Sequence, residues 1–529
     1  MTTMNVQLQI TPPLEFTQHL IELVGAEHVL VGDAIVSFAT DVYRARSMPL
    51  AVVRPGTVEQ VQAVVRACSS AKVALFVRGG GASYTEGYLP SRPDSILIDM
   101  GRLNRIVEIN ERDGYVTVEA GVTWRALKDA LDPSGVRTPF FGPFSGFAAT
   151  VGGSLSQHSI SHGSGAHGMS AQSLICLDVV VASGALLRTG SAARGAAPFS
   201  RWYGPDLAGL FCGDCGVLGV KVRITLPLIR RKAAFECLSF AYQTLPAFAE
   251  ALRVASLEGL DDEHFAIDAA ISAGQIARQR RTSQRGLIEG IWRSAPSRWA
   301  AVKQLLRIAR AGAGALRAAP YMAHFVVEGV TQRDARIKAA RLREIMRVDG
   351  KELPNTVPAV IRGMPFAPLY NTLGPHGGRW VPLHGYLPHS RVAKFHAAVD
   401  AFFAARDADM KRLGVWRGAM FMTVGSSALL YEVALYWPGV PSAYHRSAVP
   451  GDYLAQLPPA QDHPETNAFV DQLKRDLVVL YTHHGATHFQ LGKVYPYASV
   501  LQPESLALMR AIKRSLDPNG LMNPEALEL

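Results

Sequence analysis

The sequence of 529 residues is poor in cysteine, and its five cysteines (Cys68, Cys176, Cys212, Cys215, Cys237) are odd in number. A disulfide framework is not expected, and a reducing, cytoplasmic setting fits. No run of 18 apolar residues is present, so a membrane-spanning helix is not expected. The opening residues, MTTMNVQLQITPPLEF, lack a basic stretch followed by an apolar one, and no secretory signal is read there. No GxGxxG opens a helix, which argues against a nicotinamide-type Rossmann site. Cys212 and Cys215 have CxxC spacing but no second pair, too few ligands for zinc or an iron–sulfur cluster. No metal site is expected.

What is present is the composition of a folded protein, 48% hydrophobic and 19% charged. A chain this long exceeds one ordinary core, so two or three packed units are expected. The formal net charge is +10 and unevenly spread: from Arg278 to Arg317 there are ten Lys/Arg residues and a single acid, Glu289. Apolar residues there recur near helical spacing (Trp299, Val302, Leu305, Leu306, Ala309) and describe one or two basic amphipathic helices. The plain reading is a solvated face. The sharper one is a surface for anionic lipid, peripheral to a membrane, or for an acidic redox partner. Nucleic acid is not an expected partner, because no reader motif accompanies the charge.

Leu50 to Val53 reads as a buried strand, punctuated by Pro55 and Gly56. Thr57 with Gln60 forms a capping box, and Val61, Val64 and Val65 continue a helical stripe to about Ser69. Val73 to Val77 is a second strand running straight into Arg78-Gly79-Gly80-Gly81-Ala82-Ser83-Tyr84. Three consecutive glycines let a backbone turn tightly and come close to a ligand. Their N–H groups can then converge on a phosphate, with Arg78 and Ser83 as further donors. A second glycine segment, Thr150-Val151-Gly152-Gly153, lies some 70 residues on, with Ser154 and Ser156 beside it. From about residue 230 long helical stretches (245–257, 333–346, 391–411) alternate with strands (321–327, 431–436), which predicts a separate α+β unit. The end is a helix, 504–516, closed by Asp517-Pro518-Asn519-Gly520.

In this order the segments RPGTVEQV, VRGGGASY, IDMGRLNRI, VEAGVTWRAL, ATVGGSL and GPDLAGLFCGDCGVLGVKVRITLPL resemble the FAD-binding domain of the vanillyl-alcohol oxidase and p-cresol methylhydroxylase family. The tail LMRAIKRSLDPNGLMNPEALEL resembles that family's C-terminal segment. The resemblance implies a two-domain α+β fold with a PCMH-type FAD-binding domain at 46–229. A substrate or cap domain built on an antiparallel sheet would occupy 230–480. The first 45 residues would be an N-terminal segment, and 481–529 would return to the flavin. It implies FAD as cofactor, with Gly79, Gly80, Gly81, Ser83 and Tyr84 cradling the diphosphate. Thr150, Gly152, Gly153 and Ser156 would lie along the diphosphate and isoalloxazine. Gly213, Gly216 and Gly219 would form a tight turn beside the cofactor. Val220 and Val222 would approach the adenosine, and Asn523 would come back to the flavin. Some family members carry a flavin-tethering histidine in the glycine loop. Here that position is Ala82, so FAD is expected to be held without a tether from this loop.

For chemistry, the segment 481–497 concentrates candidates: His488 as a base, Lys493 to hold a carboxylate or phenolate, and Tyr495 to wall an aromatic pocket or share a proton. His488 is read on a strand or loop. His324 with Glu328, and His384 with His389, are alternative metal pairs, though satisfied structural histidines read better. The GDGN-H and EHG stretches of the hydroxy-acid dehydrogenase relatives are absent. The resemblance therefore implies oxidation of an alcohol or phenolic donor by hydride transfer to flavin N5. A D-2-hydroxy-acid dehydrogenase is the rival, and a non-redox enzyme like alkyl-dihydroxyacetone-phosphate synthase a second alternative. A small-molecule substrate and a homo-oligomer are expected.

Overall fold

The computed structural model describes residues 13–279, 298–311 and 319–529, with Ile288 and Trp292. A small sheet comes first, in order β1 (Val29–Leu30), β2 (Ala51–Val53), β4 (Ser95–Asp99), β3 (Ala74–Arg78). β2, β3 and β4 are parallel, with Leu75 paired to Ile96 and Ala51 to Ile96 across the other side. Parallel strands need a crossover, and α1 (Val58–Ala71) supplies it. The Thr57 hydroxyl caps the Gln60 N–H at 3.2 Å, and Gln60 reaches back to the Gly56 N–H at 2.7 Å. Val58, Val61, Val64, Val65 and Cys68 form the buried stripe the sequence predicts.

A second sheet, all antiparallel, runs β5 (Ile106–Asn110), β6 (Tyr115–Glu119), β9 (Val220–Pro227), β7 (Cys176–Val180), β8 (Leu186–Arg188). Between them lies α2 (Val151–Gln157), with Thr150 as its N-cap. The glycine segment at 150–156 is thus helical. Gly152 and Gly153 cost helix propensity. Gly152 is required because a Cβ there would press on Ala120 at 2.7 Å.

The third sheet has seven strands in the order β13-β10-β12-β11-β15-β16-β14: β10 (Ala234–Tyr242), β11 (Glu263–Asp268), β12 (Tyr321–Gly329), β13 (Lys351–Leu353), β14 (Arg379–Pro388), β15 (Trp416–Val424), β16 (Ala428–Trp437). Its helices are α3 (Leu245–Glu258), α4 (Ala269–Gln279), α5 (Arg298–Ala311), α6 (Gln332–Met346), α7 (Thr356–Gly363) and α8 (His389–Ala404). The helix expected over 391–411 is interrupted: α8 ends at Ala404, and a short helix, Asp407–Arg412, follows.

Alternation decides what each face of this sheet does. On β16, Leu429, Tyr431, Val433 and Leu435 join the core formed with α3, α6 and α8. Leu430, Ala434 and Tyr436 face the other way, with Phe265 and Ile267 of β11 and Met422 of β15. Glu432 falls in this second set by register.

Two last helices, α9 (Pro464–His483) and α10 (Pro503–Leu516), carry the chain back to the first sheet. There the Leu75 N–H donates to Leu521 O at 2.9 Å and the Asn523 N–H to Leu75 O at 2.8 Å. The C-terminal segment so lies along β3, next to the glycine loop.

Candidate functional site: a cofactor-sized cavity with one buried carboxyl

One cavity of about 1360 Å³ runs from the glycine loop to the inner face of the seven-stranded sheet. Pockets for drug-sized ligands are roughly 300–1,000 Å³, so this one has room for more than a small substrate. Gly79, Gly80, Gly81, Ala82, Ser83 and Tyr84 line one end, and Thr150, Gly152, Gly153, Ser156, Gly216 and Gly219 lie beside them.

The loop is open because it has no Cβ atoms. A Cβ on Gly80 would overlap the carbonyl of Ala148, and one on Gly79 would sit 2.5 Å from Thr150 Oγ1. Gly81 has φ of 74°, a left-handed value natural to glycine. Among the described residues no acceptor is present for the backbone N–H groups of Gly80, Gly81, Ala82 and Ser83. Unpaired N–H groups converging on a cavity make an anion cradle, so these residues fit a diphosphate.

Other predicted cofactor residues stand behind this wall. Arg78 does not line the cavity. Its guanidinium pairs with Asp99 at 2.6 Å and supports the loop from beneath. Val220 and Val222 are fully buried in the core. Between them Lys221 turns the opposite way and lines the cavity, paired with Asp214 at 2.5 Å. Strand alternation puts the neighbour of two buried valines on the ligand side, and this signal was available in the sequence. Asn523 is 1% exposed: its amide donates to Gly87 O at 2.7 Å and to Cys215 O, and its oxygen accepts from Lys493 Nζ at 2.8 Å. Gly87 and Cys215 both line the cavity, so Asn523 positions the wall without reaching the ligand space. All five cysteines are free and buried.

The three predicted catalytic side chains are not in the cavity wall. β14 is the edge of its sheet, and its outward backbone groups need partners. The segment 481–497 provides them. The His384 N–H donates to the Tyr495 hydroxyl at 2.9 Å, and His488 Nδ1 donates to His384 O at 2.8 Å. Tyr386 and Thr487 exchange both backbone hydrogen bonds. His488 stacks on Tyr495 at 4.2 Å between ring centres, and burial pushes its pKa down to about 4. Lys493 is held by Asn523 and by Glu86 O at 3.3 Å, and burial pushes its pKa down to about 8. The polar groups of this segment close a sheet edge and fasten the C-terminal segment. His488 follows the end of α9, in a bridge segment, as the loop reading expected.

The metal pairs do not assemble. His324 Nδ1 meets Ser239 at 2.9 Å, whereas Glu328 pairs with Arg362 and, at 3.5 Å, with Arg137. Among the described residues no group of three metal-ligating side chains is present.

Besides Lys221 and the exposed Asp452, the charged groups that line the cavity are Glu432 and Arg278. Glu432 lies opposite Met420 on β15 and His384 on β14. Burial raises its pKa from 4.5 to about 7, with no hydrogen bond or charge offsetting it. Trp380 and Tyr436 flank it on the same face, and Tyr84 packs edge-on to Trp380 at 5.6 Å. The sequence signal for Glu432 was a lone acid in the apolar run Ala428–Trp437. Arg278 was hidden among nine other basic residues of its stretch.

Residues 49–190 match the FAD binding domain family and residues 482–527 the C-terminal domain of FAD linked oxidases. The chain is similar to glycolate oxidase subunit GlcD of Bacillus subtilis, 29% identical over 238 residues, 44% of this chain and 48% of that protein. It is also similar to mitochondrial D-lactate dehydrogenase [cytochrome] of Arabidopsis thaliana, 32% over 186 residues, 35% and 31% of the two chains. A third relative is 1'-carboxy-chondrochloren decarboxylase of Chondromyces crocatus, 30% over 251 residues, 45% of each. The match spans about half or less of these relatives' length. Among solved structures, p-cresol methylhydroxylase with substrate bound has a TM-score of 0.71 at 18% identity, covering 98% of this chain and 96% of that one. Alkyldihydroxyacetonephosphate synthase has 0.67 at 14% identity, covering 97% and 84%. The fold is therefore the PCMH-type FAD-binding fold in a two-domain α+β arrangement. FAD is the cofactor that the matched domains and the glycine cradle accept.

Proposed function

We propose that the protein is an FAD-dependent oxidoreductase that oxidises the CH–OH group of a 2-hydroxy acid, with Glu432 as the base. The observation that carries this reading is the half-buried Glu432 carboxyl in the same cavity as the glycine cradle, its pKa raised by desolvation to about 7. Bound FAD supplies a two-electron acceptor. Above about pH 7 the Glu432 carboxylate accepts the hydroxyl proton as the C–H bond is broken, a role worth about 10²–10⁴-fold. Trp380, Tyr436 and Tyr84 exclude water and orient the donor. The glycine loop holds the diphosphate through backbone groups, and Ala82 offers no nucleophile for a covalent bond. Support for a 2-hydroxy acid comes from the relatives named glycolate oxidase and D-lactate dehydrogenase. The aromatic walls favour a second reading, a phenolic or benzylic alcohol.

Anaerobic mixing separates the two. Flavin bleaching by a 2-hydroxy acid with an apolar body, such as D-mandelate, with none by vanillyl alcohol or a 4-alkylphenol, is expected. The opposite pattern replaces the first reading with the second. Yellow colour in the supernatant after acid precipitation is expected for untethered FAD, and a coloured pellet would contradict it.

The basic stretch 278–317 lies largely outside the described residues, but α5 is described. It exposes Trp299 (84%), Val302 and Leu306 at helical spacing, beside Arg298 and Lys303, while Leu305 lines the cavity. An apolar stripe with aromatic and basic residues suits an anionic lipid surface, which we propose as its partner.

A further inference from the structure

The cavity wall also holds a positive charge that no carboxylate among the described residues pairs with. Ile271, Gln275 and Arg278 recur at helical spacing on α4, and all three line the cavity. Arg278 is only 4% exposed. Its guanidinium donates to Asn371 Oδ1 and, at 2.6 Å, to Leu373 O, both neutral acceptors. Its Nε has no partner. Among the described residues no carboxylate pairs with it. Asp452, the acid nearest in sequence to the lining residue Tyr453, is exposed at the rim.

A buried charge is normally paired, because losing its hydration is expensive. Among the described residues the protein provides dipoles but no counter-charge. A second donor lies in the same wall: the Tyr453 hydroxyl, on a side chain 5% exposed, faces the Arg278 guanidinium and has no acceptor for its own hydrogen among the described residues. A buried guanidinium with an unpartnered Nε and no counter-charge among the described residues, with a phenol beside it, is complementary to an oxyanion. A planar guanidinium favours a carboxylate in particular. The walls around this point are apolar: Phe265, Ile267, Ile271, Met422 and Tyr436 pack together there.

We infer that Arg278 and Tyr453 form a carboxylate-binding subsite, and that the donor carries a carboxylate joined to a sizeable apolar body. This rests on the proposed oxidation of a CH–OH donor and narrows it. A donor as small as glycolate would leave the apolar span unfilled, and a neutral alcohol would leave the guanidinium unpaired. Arg278 is a binding residue in this arrangement, and the proton chemistry stays with Glu432.

Binding can be tested apart from turnover with a ligand that has no hydroxyl to oxidise. 3-Phenylpropanoate and its amide are titrated into the FAD-loaded protein, following the perturbation of the flavin spectrum. The wild type is expected to bind the acid at least 10-fold more tightly than the amide. Arg278→Gln should weaken the acid about 10- to 100-fold and leave the amide unchanged, with flavin content retained. Should that variant fail to fold, Tyr453→Phe is expected to weaken the acid several-fold and spare the amide. Equal binding of acid and amide by the wild type, or undiminished acid binding by either folded variant, would overturn the subsite. Failure of every CH–OH donor to bleach the flavin would instead remove the oxidation reading, and these affinities would still stand.

Discussion

At the scale of single residues, the cavity divides binding by backbone from chemistry by side chain. The glycine loop was legible because its signal is local: three glycines after a strand have few other uses. Gly80→Ala is expected to lose FAD, since its methyl would meet the Ala148 carbonyl, which is backbone and cannot step aside. The absorbance ratio of flavin to protein after purification checks this. Glu432 was not legible, because what marks it is the cavity on one side of β16, not its neighbours in sequence. Glu432→Gln should retain FAD and slow anaerobic flavin reduction about 10²–10⁴-fold. The wild-type rate should rise with pH through about 7, as the carboxyl loses its proton, and this rise should be absent from the variant. The same group affects stability with a definite sign. Its folded pKa lies above the ordinary 4.5, so the folded state holds the extra proton and stability falls as pH rises from about 4.5 to 7. Melting temperatures across that window should fall less steeply in Glu432→Gln.

At the scale of elements, the crossover helix α1, the strands around it and the closing helix α10 follow from caps and periodicity. Five of the seven strands of the large sheet do not. β11 reads EHFAID and β15 reads WRGAMFMTV, sequences that mix charge, glycine and aromatics because one face meets helices and the other a ligand space. The segment after α9 reads ambiguously for a related reason. His488 and Tyr495 are the residue types that catalysis uses, yet here they satisfy the open edge of β14. Tyr495→Phe should therefore leave the buried His384 N–H without an acceptor. A loss of about 1–3 kcal/mol in unfolding free energy is expected, with no change in the pH dependence of flavin reduction. A shifted pH profile in that variant would return Tyr495 to the reaction.

At the scale of the whole molecule, fold and cofactor were legible from the order of the motifs, whereas the donor was not. Arg278 and Glu432, to which we assign the donor, lie far apart in sequence and meet one cavity only after the sheet has formed. The exposed stripe of α5 adds a property of the particle as a whole. Flotation with phosphatidylglycerol vesicles at low salt is expected to retain the wild type. Trp299→Ser combined with Leu306→Ser should release it, and phosphatidylcholine vesicles should not bind. Retention of the double variant would place the contact elsewhere.

Asn523 fastens the wall that Gly87 begins, 436 residues earlier in the chain. A ribosome adding about 5–20 residues per second needs roughly 20 to 90 s to cover that interval. During it the nascent glycine loop has neither its clamp nor the edge contact that Met522 makes with Leu75. Flavin capture is thus expected to wait for the segment around Asn523, and a chain truncated shortly before that residue should purify colourless.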